Sequence, residues 1–147
     1  MRKSNKELMG DLAEDIFFEK MNGEKNPDRW DPNGDGLLNK NIAEVKAQNR
    51  HPAGYMTINN KAPNQVRKCM DPNVRLFFIE YDETPNAKVR EVIDKNSYTI
   101  LHTRDGREMR GWSISKMKHI DEWEGVGDQL KIYSSAKQFR KKQFTNA

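Results

Sequence analysis

Near the start of the chain, apolar residues recur at helical spacing, with Leu8, Leu12 and Ile16 flanked by Met9, Ala13 and Phe17. Ser4-Asn5-Lys6-Glu7 has the Ser-x-x-Glu form of a capping box, so a helix is expected to begin there and to end at Asn22-Gly23. From Glu24 to Gly36 the composition turns to Pro, Asn, Asp and Gly, which predicts a loop, with a short strand at Arg29-Trp30. Leu37-Leu38 and Ile42 to Ala47 read as two strands of a hairpin reversing at Asn39-Lys40-Asn41. Tyr55 to Ile58 predicts another strand. Pro63 opens a helix with Val66, Cys69 and Met70 inward, stopped by Asp71-Pro72.

Val74 to Tyr81 is apolar at consecutive positions, the pattern of a central strand buried on both faces. Val89 to Ile93, Tyr98 to Thr103 and a return strand to Trp112, after a turn at Arg104-Asp105-Gly106-Arg107, read as an extension of that sheet. Ser113 to Ile120 is expected to be a short helix, and Ser135 to cap a last one. No internal repeat interrupts this order, which describes a mixed α/β (α+β) domain.

Bulk properties narrow the picture. A chain of 147 residues suits one domain, taken as residues 1–133, with residues 134–147 as a basic tail or helix. A third of the residues are charged and the mean hydropathy is −1.02. The longest apolar run, near Leu76 to Ile79, is far below the roughly 20 residues of a membrane span, and the charged start shows no secretory signal. A cytoplasmic protein with no membrane partner is the expectation. Cys69 stands alone and fits a packed helix. Net charge of +4 and a pI near 9.1 favour a polyanionic partner, and Lys137 to Phe144 alternates cations with aromatics, suiting either a phosphate backbone or a solvated tail. His51, His102 and His119 are too scattered for a metal cluster. Trp112 and Trp123, with Met109 and Met117, read as core rather than as a base-stacking surface.

Candidate chemistry concentrates in Ile42-Ala43-Glu44-Val45-Lys46-Ala47-Gln48. As a strand, this segment sends Ala43, Val45 and Ala47 to one face and Glu44, Lys46 and Gln48 to the other. A two-residue turn at Asn39-Lys40 would place Asp35 opposite Glu44, with Cβ atoms about 5 Å apart, near enough to share one cation. Two carboxylates with room for water and phosphate suit Mg²⁺ or Mn²⁺, with the Ala43 and Val45 carbonyls as extra ligands. A lysine two residues from Glu44 adds the positive charge that phosphodiester cleavage requires.

Asp35 followed by Glu44-Val45-Lys46 resembles the motif of the PD-(D/E)XK nuclease superfamily, the restriction-endonuclease-like fold. Gly10-Asp11-Leu12-Ala13-Glu14-Asp15 is similar to the first helix of many such nucleases. Gln48, the strand at Tyr55 to Ile58, Gln65 and the strand Arg75 to Tyr81 follow the family's core order. The resemblance implies a central mixed sheet flanked by helices and Mg²⁺-dependent endonuclease activity on DNA. In it, Asp35 and Glu44 are metal ligands, Lys46 orients or activates the attacking water, and Glu14 is an accessory ligand. Gln48 and Gln65 would position the site or contact DNA. Arg50, Arg67, Lys68 and the run Arg140, Lys141 and Lys142 are candidates for backbone contacts. Cutting both strands of a duplex or junction would ask for a homodimer.

The pattern departs from the family in its weak strand before Asp35, which leaves Asp28 and Asp31 as rivals for the first ligand. Two other readings compete. The stretch Asp31 to Asn39 resembles a calcium-binding loop, although its twelfth position is Ile42 rather than an acid. A DNA-binding protein of the same fold without catalysis is the other, although both carboxylates and the lysine are present.

Overall fold

The computed structural model describes residues 4–26, 34–49 and 53–133. Helix α1 (Asn5–Lys20) begins as its sequence predicts: the Ser4 hydroxyl accepts from the Glu7 N–H at 3.2 Å. Asn22 takes a positive φ of 56° and the Gly23 N–H returns to the Phe18 carbonyl at 2.8 Å, which ends the helix. Strands β1 (Glu24–Lys25), β2 (Gly36–Leu38), β3 (Asn41–Gln48), β5 (Val74–Tyr81), β6 (Ala87–Val92) and β9 (Lys118–Trp123) build one sheet in the order β1-β2-β3-β5-β6-β9. Within it β3 and β5 run parallel and the other pairs antiparallel. Strands β4 (Tyr55–Asn59), β7 (Thr99–His102) and β8 (Glu108–Ser113) form a second sheet, β4-β8-β7. Helices α2 (Pro63–Met70) and α3 (Val126–Lys131) complete a mixed α+β architecture.

The central position of β5 follows from its composition. Phe77, Ile79 and Tyr81 pack with Ala13, Phe17, Ala43, Val45, Trp123 and Leu130 on the α1 and α3 side. Leu76 and Phe78 face the other way, onto Met56, Ile58, Cys69, Val92 and Trp112 from β4, α2, β6 and β8. Both faces are dry, so alternation is absent from the sequence. Cys69, Trp112 and Trp123 are all buried in these clusters, while His102 and His119 are exposed.

Three expectations are corrected. Strands β7 and β8 do not extend the main sheet; with β4 they make a separate layer, because Met56, Ile58 and Trp112 cover the face of β5 that α1 leaves open. Ser113 to Ile120 is not a helix: a single 3-10 turn (Ile114–Lys116) leads into β9. Its apolar residues Ile114, Met117 and Ile120 recur every three positions, yet the first two pack with the Trp112 cluster and Ile120, at a β-bulge, with the other. Val89 pairs with Asp121 and Arg90 with His119, so Ile120 is an extra residue, and it packs with Trp123 three positions later against one core. Finally, α3 was not expected; its six residues are too few to show a period, and Gly125 at φ 76° starts it. The proposed strand at Arg29-Trp30, the rivals Asp28 and Asp31, Arg50, His51 and the whole segment 134–147 lie outside the described residues.

Candidate active site

The hairpin β2-β3 sets the first half of the site. Asn39 and Lys40 hold positive φ values of 50° and 70°, the conformation a two-residue hairpin turn of matching twist requires. Pairing then counts outward as Leu38 with Asn41, Leu37 with Ile42 and Gly36 with Ala43. Asp35 stands one residue beyond this ladder and is not a paired rung opposite Glu44. Its N–H donates to the Ala43 carbonyl at 3.1 Å, and its Oδ2 accepts from the Val45 N–H at 2.8 Å. The carboxylate thus occupies the place on the edge of β3 that a continuing strand would take. Gly34 makes the detour, with φ 104°; a Cβ there would lie 2.5 Å from Ile42 Cγ2 and 3.4 Å from Glu44 Oε1.

Glu44 sits in the middle of β3, only 2% exposed. Its Oε2 lies 3.7 Å from Lys46 Nζ. Its Oε1 is buried and meets no hydrogen-bond partner among the described residues. Burial, then the charge of Asp35, push its pKa up to about 7 against the opposing pull of Lys46 and Lys68. Glu14 on α1 feels the same field. Burial and Asp35 raise it to about 8, opposed by Lys25, with Asp11 and Glu44 adding to the rise. Three acids from three elements therefore crowd one another electrostatically.

All three border one cleft of about 1140 Å³, together with Val45, Lys46, Gln48, Gln65, Arg67 and Lys68. Sequence reasoning named every one of these. Gln48, however, spends its amide on β4: Nε2 donates to the Thr57 carbonyl at 2.8 Å and Oε1 accepts from the Thr57 N–H at 2.6 Å. The side chain imitates a strand partner and ties the two sheets along the cleft. Arg67 is exposed, and Gln65 and Lys68 half-buried, on the α2 wall. Of the calcium-type loop, residues 36–38 are strand and Asn39 is the hairpin turn.

Among the described residues no three His, Cys, Asp or Glu side chains are gathered around one point. Mg²⁺ does not need such a cage, since it keeps several waters and takes one or two carboxylates plus substrate phosphate. The residues suit it on one ground above all. An unsatisfied buried oxygen costs about 1–3 kcal/mol or more when charged, and a cation facing Glu44 Oε1 would remove that cost. Residues the sequence did not bring forward include Gly34, Lys25 and Asn26. The last two lie in a stretch expected to be loop, where a two-residue strand leaves no periodic signal. No helix among the described residues is long and apolar enough to cross a membrane. Comparisons with family models, with curated proteins and with solved structures return no match.

Proposed function

We propose that this chain is a Mg²⁺- or Mn²⁺-dependent DNA endonuclease with a restriction-endonuclease-like arrangement of β2, β3 and β5. The observation that carries the reading is Glu44: a buried carboxylate with one oxygen unpartnered among the described residues and Lys46 beside the other, in a field shared with Asp35 and Glu14. A buried charge left incomplete is costly, which favours a ligand of opposite sign.

Asp35 and Glu44 would hold the cation, with Glu14 as the accessory acid. Val45 fits as a carbonyl ligand because its C=O lies on the same strand edge as the N–H that meets Asp35. When bound, the cation supplies charge neutralisation at the phosphate and lowers the pKa of a water. Lys46 orients that water and adds positive charge where the phosphorane develops. Its salt bridge to Glu44 holds the ammonium in place. Arg67 and Lys68 on α2 offer backbone phosphate contacts along the cleft wall. The expected products carry a 5′-phosphate and a 3′-hydroxyl, and a homodimer in the cytoplasm would cut paired strands, whether duplex or junction.

The test incubates the protein with linear duplex, single-stranded, supercoiled and four-way-junction DNA, in Mg²⁺ or EDTA, beside Lys46→Ala. Cleavage should need the metal and be lost in the variant. Cutting that continues unchanged in Lys46→Ala would place the activity elsewhere.

A further inference from the structure

Glu14 comes from α1 and Asp35 from the turn entering β2. Besides the packing of Phe18 against Gly36, the short strand β1 ties the two together by hydrogen bonds. The Lys25 side chain reaches α1 on both sides of Glu14, donating to Asp15 Oδ1 at 2.8 Å and to the Asp11 carbonyl at 3.4 Å. Its backbone pairs with Gly36, the residue after Asp35. The next residue, Asn26, closes the other end: its N–H donates to the Asp35 carbonyl at 2.8 Å and its Nδ2 to the Gly34 carbonyl at 3.3 Å. Two consecutive residues therefore grip the helix carrying one acid and the turn carrying another.

We propose that Lys25 and Asn26 are positioning residues that fix the separation of Glu14 and Asp35 for a divalent cation, a role that rests on the metal-dependent reading above. The alternative is an ordinary surface ion pair. The Lys25–Asp15 contact itself is too exposed, at 29% and 61%, to add much stability. The geometry it imposes is another matter, since groups that orient metal ligands commonly govern affinity.

The sign of one substitution separates the two ideas. Lys25 is a cation beside an acid cluster, so removing it should, by Coulomb attraction alone, tighten binding of a second cation. A positioning role predicts the opposite. Calorimetric titration with Mn²⁺ should show Lys25→Met binding about tenfold or more weaker than the parent. Lys25→Arg, which can reach the same acceptors, should recover most of the affinity. The metal-free melting temperature of Lys25→Met should stay within a few degrees of the parent. Should Lys25→Met fail to fold, Asn26→Ala carries the same test without changing charge, again with weaker binding expected. Unchanged or tighter Mn²⁺ binding in either folded variant would overturn the positioning role while leaving the metal site standing. A parent protein that takes up no Mn²⁺ would overturn both.

Discussion

Among the described residues three carboxylates lie buried, and they are completed in different ways. Glu80 of β5 accepts a 2.6 Å bond from Arg90 of β6, with both side chains largely withdrawn from water at 3% and 11% exposed. Glu91 receives both arms of Arg75, at 2.8 and 2.9 Å. Glu44, as deeply buried as Glu80, has a lysine 3.7 Å from one oxygen and, among the described residues, no hydrogen-bond partner for the other. An arginine fork satisfies a carboxylate within the fold. A lysine at arm's length leaves room for something else. The difference separates two acids completed within the sheet from one that the described residues leave incomplete.

The largest effects should come from exchanging charge for amide at the two extremes. Glu44→Gln is expected to lower metal-dependent cleavage by about 10³-fold, roughly 4 kcal/mol of transition-state stabilisation, while the metal-free protein melts no lower than the parent. Glu80→Gln should do the reverse. Stranding Arg90 in a dry site should cost about 3–5 kcal/mol in urea unfolding, with cleavage per folded molecule retained. If Glu44→Gln destabilised the metal-free protein as much as Glu80→Gln, the distinction between the two acids would be lost.

A pH titration sharpens the same contrast. Glu14 and Glu44 hold pKa values of about 8 and about 7 in the fold, against an ordinary 4.5. Between these limits the folded protein keeps protons that the unfolded chain has released, so stability declines as pH rises. Metal-free melting temperatures should therefore fall from above about pH 4.5 to near pH 8, and Glu44→Gln should flatten the slope. Added Mg²⁺ should oppose the decline at the alkaline end, where both acids are free to ionise. A metal-free profile that rises through this window would contradict the crowding of the three acids.

Much of the candidate site's layout is legible in the sequence, for a physical reason. The alternation in β3 fixes which side chains share a face, and a two-residue turn fixes the register of the hairpin, so Asp35 and Glu44 could be brought together by counting. What counting misses is the last step. Gly34 turns the chain out of the ladder, so Asp35 meets β3 through the Val45 N–H rather than as a rung. The destination of Gln48 was equally hidden, because its partner Thr57 belongs to another sheet. The second sheet itself arises from a hairpin that could pair anywhere by local pattern, and only the open face of β5 decides where it goes. Where a residue's partner is close in sequence, pattern suffices; where an exposed apolar face chooses the partner, it does not.

The smallest effect belongs to the pair between the extremes. Glu91 is buried, but its partner Arg75 is 31% exposed, and the Arg75 guanidinium also lies 4.9 Å from the centre of the Phe77 ring. The bond to Glu91 raises the Arg75 pKa, so the two are coupled in the fold. Yet an arginine that loses its carboxylate here keeps the aromatic face and gains water, which Arg90 cannot do. Glu91→Gln should therefore cost only about 1–2 kcal/mol in urea unfolding, after allowing for solvent screening, and leave cleavage untouched. Measured beside Glu80→Gln, it asks whether the arginine's access to water sets the cost of removing its acid. A loss as large as that of Glu80→Gln would show that depth of the carboxylate alone governs, and Glu44 would then need another explanation for bearing its incomplete shell.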